Sequence, residues 1–495
     1  MLKGNLWYNK EVKNQWERRS FMYRTTKIFV KEETRLGRYF ADLSEKTNNL
    51  YNVCMFYTRQ VMTGIKKTVK TENEQHVFEV IQQALPEINK IKEQTYENKL
   101  AKGEHPTSPQ YRTFPTEEKW FLNWSYLADI FKISNNVDYF ALPGQVNTAI
   151  LRKVNKNWKS YFELQKKWNQ DPSSLSGKPK IPHYRKSGGR FDIFFTNQNC
   201  KIKETGNRFV LTFPCSGGLT LNVGTYLTTK DKLSDVKVKP VFGGFEVNIA
   251  TEIKDVDCTY QEPTRICSID FGVDNFATIS NNVGLRPCIV KGKDMKSKNQ
   301  WFNKCISQLQ GILAKVNKNK KTSKRIRRLY ARRERYFHHR FHRISHVLVD
   351  YFVCNQIDTV VVGKNNGWKQ NSNMSKVNNQ NFQHIAYSWF LKLLAYKCEE
   401  TGIQLIQREE SYTSKASFFD MDEIPTYGKK GVVPTFSGKR IQRGLYRTSN
   451  GRLINADING ASNILRKEFP HAFDKVGSYK YLLNPEILSI DKKEK

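Results

Sequence analysis

Two short runs of this chain place an aspartate where a folded protein has to compensate its charge. In Ile266-Cys267-Ser268-Ile269-Asp270-Phe271-Gly272-Val273 the acid ends an apolar, strand-like stretch, and a glycine turn leads into Phe276-Ala277-Thr278-Ile279. A carboxylate buried at a strand end needs a partner for its charge, and a bound cation is one. Taken alone, the run reads equally as an aspartate capping a hairpin turn. In Asn455-Ala456-Asp457-Ile458-Asn459-Gly460-Ala461-Ser462-Asn463-Ile464-Leu465, Asp457 opens a helix, and Gly460, Ala461 and Ser462 are small enough for close packing on a sheet. The simpler reading of Asp457 is an N-cap. Two such acids in one strongly basic chain favour phosphodiester cleavage, in which carboxylates from separate segments hold two ions roughly 3.5–4 Å apart. Hard oxygen donors suit Mg²⁺ or Mn²⁺. A third acid, with the reach of Glu, should lie between these two in sequence.

The elements that would position these residues follow from periodicity. Thr25 to Glu32 alternates like a strand, and Leu36, Phe40, Leu43, Leu50 and Val53 recur at helical spacing. Helix-favouring sequence continues to about Leu164, with a less regular stretch from Lys102 to Pro115. The Pro, Gly and Ser-rich passage Asp171 to Gly189 breaks the pattern. Strand-like runs follow at Arg190–Thr196, Arg208–Phe213 and Gly244–Ile249, which predicts a small β domain. From Arg265 the chain reads as mixed α/β, with strands at Ile266–Ile269, Thr359–Val362 and Ile403–Gln407. A helix from Phe382 to Lys397 is expected to present Phe382, Ile385, Trp389, Leu393 and Tyr396, with Gly402 placed to end it.

Composition points to the partner. The chain has 495 residues, 82 Lys and Arg against 47 Asp and Glu, and a formal net charge of +35. Such a surplus repels itself unless a polyanion neutralises it, so nucleic acid is expected. A mean hydropathy of −0.65 and the lack of any long apolar run argue against a membrane span, and the N-terminus has no secretory apolar core. A cytoplasmic location is expected, nucleoid-associated if the source is prokaryotic. The nine cysteines are scattered without a C-x-x-C pair, which predicts reduced, mostly buried thiols. Between Lys315 and Arg343 the basic residues Lys320, Lys321, Lys324, Arg325, Arg327, Arg328, Arg332, Arg333, Arg335 and Arg340 accompany a single acid, Glu334. Ile326, Leu329, Tyr330, Phe337, Phe341 and Ile344 recur at helical spacing, so one face packs while the other contacts a nucleic-acid backbone. His338, His342 and His346 share a face of the same helix; no fourth ligand is evident, and they are read as solvated or phosphate-facing, without metal.

SIDFGVDNFATI and NADINGASNILRK resemble the first and third RuvC motifs of the TnpB family of transposon-encoded RNA-guided nucleases, relatives of the type V CRISPR effectors and of Fanzor. The resemblance implies Glu at the end of the strand Thr359–Val362, where this chain has Gly363. Glu409-Glu410-Ser411-Tyr412-Thr413-Ser414 instead resembles the rearranged second motif of Fanzor and some TnpB proteins. Strand parity puts Glu409 and Glu410 on opposite faces without choosing between them; the resemblance picks Glu410, with Glu409 as runner-up. The implied metal ligands and catalytic residues are therefore Asp270, Glu410 and Asp457, holding Mg²⁺ (or Mn²⁺). The zinc ribbon that usually follows has Ser417, Asp420, Arg447 and Asn450 near its ligand places and no cysteine beyond Cys398. A finger without zinc is expected, packed on Phe418, Phe419, Ile424, Tyr427, Phe436 and Tyr446.

Weaker similarity at Ala141–Val146 with Leu151–Phe162, and at Gly177–Pro182 with Phe191–Phe195, resembles the recognition lobe and the entry to the wedge domain. Tyr39, Tyr51, Phe56, Tyr57, Trp120 and Trp124 could stack on bases, although core packing suits most of them better. The implied architecture is multidomain α+β: a helical recognition lobe (31–175), a small β-barrel wedge domain (1–30 and 176–262), and an RNase-H-like RuvC α/β nuclease domain. The nuclease domain would span 263–408 with a basic helical insertion at about 295–350, then a zinc-less finger (409–454) and the third motif with the tail (455–495). The implied function is RNA-guided, Mg-dependent DNA cleavage beside a short target-adjacent motif. Its partners would be a guide RNA, either omega RNA or CRISPR RNA, and double-stranded DNA, with the protein a monomer rather than a dimer. Rivals are a nuclease-dead guided repressor, a compact type V effector using a CRISPR guide, and a cut-and-paste transposase with an RNase-H core.

Overall fold

The computed structural model describes residues 22–224, 227–253, 262–317, 319–364, 386–425 and 434–490. The chain divides into two compact units, Met1–Lys254 and Asp255–Lys495.

The first unit runs β1 (Met22–Lys31), α1 (Arg35–Gly64), α2 (Glu72–Ala101), α3 (Trp124–Ile133) and α4 (Gly144–Gln170), then β2 (Ile193–Thr196), β3 (Lys201–Thr205), β4 (Arg208–Thr212), β5 (Thr220–Gly224), β6 (Lys232–Val241) and β7 (Gly244–Ile253). β1 pairs with β7 antiparallel over ten residues, so two segments separated by all the helices build one sheet. Two antiparallel sheets result, β1-β7-β6-β2 and β3-β4-β5. The expected small β-barrel is therefore not closed among the described residues, because β1 and β2 are both edges of the first sheet. Phe40 of α1 joins the two parts, packing edge-on to Phe213 at 5.1 Å and to Phe245 at 5.8 Å. Tyr51 and Tyr57 are buried in this core, and Tyr39, Phe56, Trp120 and Trp124 pack half-buried against it. These six rings thus serve the core.

The second unit contains β8 (Ile266–Phe271), β9 (Asn275–Asn281), β10 (Cys288–Lys291), α5 (Lys293–Val316), α6 (Lys324–Cys354), β11 (Thr359–Gly363), α7 (Tyr387–Glu400), β12 (Gln404–Arg408), β13 (Lys439–Gln442), β14 (Leu445–Arg447), β15 (Leu453–Asn455), α8 (Ala456–Glu468) and β16 (Glu486–Ile487). Its main sheet has the order β12-β11-β8-β9-β10-β16. β8, β9 and β10 form an antiparallel meander, whereas β11 and β12 run parallel to β8. Parallel neighbours need crossovers, and helices between them supply those. β11 is buried throughout and β8 at every residue except the half-buried Asp270, because the sheet is covered on both faces.

α7 differs from the face expected of it. Phe382 and Ile385 lie outside the described residues, and α7 buries Tyr387, Phe390, Leu391, Leu393, Leu394 and Cys398, with Trp389 and Tyr396 only half-buried. The apolar face is wider than one stripe because sheet and α6 both cover it: Trp389 lies 5.2 Å from Phe341. Gly402 takes φ +75° just past the helix, where Ile403 N–H donates to Cys398 O and Gly402 N–H to Glu399 O. His338 is half-buried, its ring tilted against Trp389 at 5.1 Å, while His346 pairs with Asp350 at the surface. Among the described cysteines, Cys54, Cys200, Cys267, Cys288 and Cys398 are buried free thiols.

Candidate active site

The parallel strands β8, β11 and β12 end at one edge of the sheet, where open α/β sheets place their ligand sites. Asp270 is the fifth residue of β8 and pairs with Thr278 across the hairpin. It caps no turn: among the described residues its carboxylate accepts no hydrogen bond, and Gly272 N–H donates instead to Phe276 O. Tyr387 of α7 donates to Gly272 O at 2.8 Å and steadies that turn. Asp457 is likewise not the cap of α8. Asn455 caps it, its Oδ1 accepting from Asp457 N at 3.0 Å and Ile458 N at 3.2 Å. The Asp457 side chain is thereby left to face the site, where Oδ2 accepts from Asn275 Nδ2 at 2.7 Å and Oδ1 meets Arg440 Nη2 at 3.5 Å. Lys291 Nζ in turn donates to Asn275 Oδ1 at 3.0 Å.

α8 lies on the sheet through its small residues. Ser268 Oγ donates to Ala461 O at 2.6 Å, and Ser280 and Ser462 share a hydrogen bond of 2.7 Å. A Cβ on Gly460 would stand 2.9 Å from Asp270 Oδ2, so the helix can approach the strand end only without a side chain there.

Glu409 and Glu410 follow β12 and diverge. Glu409 turns to α8, where Lys467 Nζ donates to Oε2 at 2.6 Å and Ser411 N to Oε1 at 2.9 Å. Burial raises its pKa, and the Lys467 and Ser411 hydrogen bonds outweigh it, so the group ionises below its ordinary range. Glu410 faces Gly363. The last β8–β11 pair is Ile269 with Val362, which puts residue 363 beside Asp270. A Cβ on Gly363 would lie 2.6 Å from Glu410 Oε2 and from Ile464 Cδ1. The space a side chain at 363 would claim is the space Glu410 fills. The three acids share one field: burial, then the charges of Glu410 and Asp457, push Asp270 well above its ordinary pKa, with Arg440 opposing. Among the described residues no three Asp, Glu, His or Cys side chains form a ready-made metal cage.

The segment following Glu410 is closed by carboxylates at the places where a ribbon would carry ligands. Asp420 accepts from Ser417 Oγ at 2.5 Å, Ser449 N at 2.9 Å and Ser449 Oγ at 2.6 Å, tying the two ends of the insertion. Asp422 accepts from Ser417 N at 2.7 Å and from Ser437. Phe418 and Tyr446 are buried, Phe419, Ile424 and Phe436 half-buried, and Tyr427 lies outside the described residues. Asp420→Ala should destabilise this insertion by about 1–3 kcal/mol, read from thermal unfolding or local proteolysis. Burial raises the Asp420 pKa, but hydrogen bonds from Ser417 and Ser449 lower it further, below its ordinary 3.8. The stabilisation is therefore present above pH 3.8 and lost as pH falls below it.

The basic helices divide the expected nucleic-acid residues. Arg333 is turned inward, its guanidinium 4.7 Å from the Phe337 ring and donating to Asn299 Oδ1, and Arg340 pairs with Asp294 at 2.8 Å. Those two hold α6 against α5. Lys320, Lys321, Lys324, Arg325, Arg327, Arg328, Arg332 and Arg335 are exposed, while Ile326, Phe337, Phe341 and Ile344 are buried. Asn275, Arg440 and Lys467 were not singled out from sequence. Asn275 lies inside the first motif and Lys467 ends the third, whereas nothing local marks Arg440.

Two family models match the chain: residues 248–369 match OrfB_IS605, a probable transposase, and residues 387–464 match the Cas12f1-like TNB domain. No curated protein matches it. A cryo-EM structure of a Cas12f1-sgRNA-target DNA complex is 14% identical, with 90% of this chain and 99% of that one covered at a TM-score of 0.44. A CRISPR-Cas12f ternary complex is also 14% identical, with 89% and 98% covered at 0.29.

Proposed function

We propose that this chain, a relative of the TnpB-type transposon proteins and of the Cas12f1-like type V effectors, is an RNA-guided, metal-dependent DNA endonuclease of RuvC type. The observation that carries the reading is the gathering of Asp270, Glu410 and Asp457 in one electrostatic field, from a strand end, a strand exit and a helix start. The meander β8-β9-β10 with parallel β11 and β12 beside β8 supports an RNase-H-type domain.

The donor set suits Mg²⁺ or Mn²⁺, which takes hard oxygens and keeps several waters rather than demanding an all-protein cage. Asp270, Glu410 and Asp457 would hold it, and when bound it activates water and neutralises charge at the departing 3′ oxygen. The chain's own residues supply the rest. Asn275, backed by Lys291, orients the Asp457 carboxylate. The N-terminus of α8 adds partial positive charge beside the acids. Arg440 brings a guanidinium to the same edge, suited to a phosphate oxygen. Exposed Arg325, Arg328 and Arg332 offer sequence-independent contacts to a guide–target duplex.

Gly363 favours the rival reading of a binding-only repressor, since it vacates the usual Glu place. Glu410 filling that same place weighs against it. The test is to copurify the protein with its RNA, sequence that RNA, and offer matched DNA in Mg²⁺. A discrete RNA and cleavage leaving 5′-phosphates are expected. Binding of matched DNA without cutting would establish the repressor reading, and absence of any discrete RNA would remove guided chemistry.

A further inference from the structure

We infer that Lys467, acting through Glu409, is the positioning residue that aims Glu410 at the acidic centre; the inference rests on the metal-ligand role proposed for Glu410. Sheet pairing does not fix Glu410. The β11–β12 ladder ends at Gly363 with Arg408, Lys364 N–H donates once more to Arg408 O, and a turn with Tyr412 at φ +67° follows. Glu410 thus sits on a segment that the sheet has already released.

α8 holds that segment. Asn459 Nδ2 donates to Ala416 O at 2.7 Å, and Asn463 Nδ2 to Thr413 O at 2.9 Å and Ala416 O at 2.7 Å. Arg466 Nη2 donates to Asp422 O at 2.5 Å. Lys467 Nζ donates to Glu409 Oε2 at 2.6 Å, Ser411 O at 2.9 Å and Pro425 O at 3.3 Å. Residues 459, 463, 466 and 467 lie along one side of the helix. The helix that carries Asp457 at its start therefore also sets where Glu410 stands.

Lys467 is the member that reaches the acidic pair itself. Its side chain is 3% exposed, and its ammonium is satisfied by three oxygens, so removing it leaves the Glu409 carboxylate without its cation. With both Glu409 oxygens held, by Lys467 and by Ser411 N, the released segment is pinned at the residue before Glu410, whose own side chain stands against Gly363.

The experiment uses full-length protein with guide RNA and matched DNA, comparing Lys467→Met, Glu409→Gln, the double variant and Glu410→Ala. Cleavage is followed against Mg²⁺ concentration, DNA binding is measured in chelator, and Mn²⁺ binding to the full chain is read by electron paramagnetic resonance. Lys467→Met is expected to lower the maximal rate about 10²-fold, as a displaced reactive group does. It should also weaken Mn²⁺ binding while leaving DNA binding unchanged. Glu409→Gln should move both readouts less in the same direction, and the double variant should lose no more than Lys467→Met alone. Wild-type cleavage and Mn²⁺ binding in a DNA-binding Lys467→Met protein would overturn the inference, as would additive losses in the double variant. If Lys467→Met cannot bind DNA, Glu409→Gln decides alone: loss in both readouts upholds the inference and no change in either overturns it. Wild-type cleavage by Glu410→Ala would overturn the functional reading instead.

Discussion

Glu410→Ala is expected to slow guided cleavage of matched DNA by ~10³-fold or more, about 4 kcal/mol of transition-state stabilisation, with DNA binding in chelator unchanged. Glu409→Ala, made beside it, should lose only about ten-fold, the effect of a slackened support rather than a missing ligand. The order follows from where the two carboxylates already stand. Glu409 has both oxygens committed to Lys467 and Ser411, a bond set that a metal would have to break. Glu410 acts on Asp270 and occupies the space that Gly363 leaves. Gly363→Ala approaches the same point from the neighbouring strand: its methyl would fall 2.6 Å from Glu410 Oε2 and force that carboxylate to move. It should therefore reproduce part of the Glu410→Ala loss without touching any acid. Equal rates for Glu410→Ala and wild type, with Glu409→Ala inactive, would exchange the two roles.

The strand ends were legible because chemistry and packing coincide there. An apolar run ending in Asp-Phe-Gly can be little else than a covered strand meeting a turn, and Asp270 falls within the strand so expected of Ile266 onward, two residues longer than its apolar run suggests. For Asp457 the plain reading was a cap, and the neighbouring Asn455 performs that task; distinguishing the two needs the helix start to within a residue, which periodicity does not give. Parity separated Glu409 from Glu410 without ordering them, since the decision belongs to Lys467, more than fifty positions away. Arg333 and Arg340 were indistinguishable from their exposed neighbours for a similar reason. Which arginine of a basic helix turns inward depends on Asn299 and Asp294 of the facing helix. The β-barrel failed because short alternating runs predict strands but not closure, and here pairing between the edge strands β1 and β2 is not made.

Asp270→Asn should abolish cleavage, by ~10³-fold or more, and yet make the metal-free protein more stable, by roughly 1–2 kcal/mol. A nuclease site holds its carboxylates together before any cation arrives. In Asp270 burial, Glu410 and Asp457 all oppose ionisation, with only Arg440 helping. The folded state consequently keeps a proton on Asp270 to higher pH than the unfolded chain does, whose ordinary value is 3.8. Because the folded state binds more protons across that interval, its stability falls as pH rises through it, and above the raised pKa the whole penalty is present. The amide of Asp270→Asn has no charge to desolvate, so in chelator the variant should unfold at higher temperature than wild type near pH 8. Toward pH 4 the two should converge. Adding Mg²⁺ should raise the wild-type midpoint, since a ligand of the folded state alone stabilises it by mass action, and should raise that of the variant much less. A variant less stable than wild type in chelator at pH 8 would mean that the Asp270 carboxylate is held by a favourable partner within the fold, and an acidic centre poised for a cation would no longer describe this edge of the sheet.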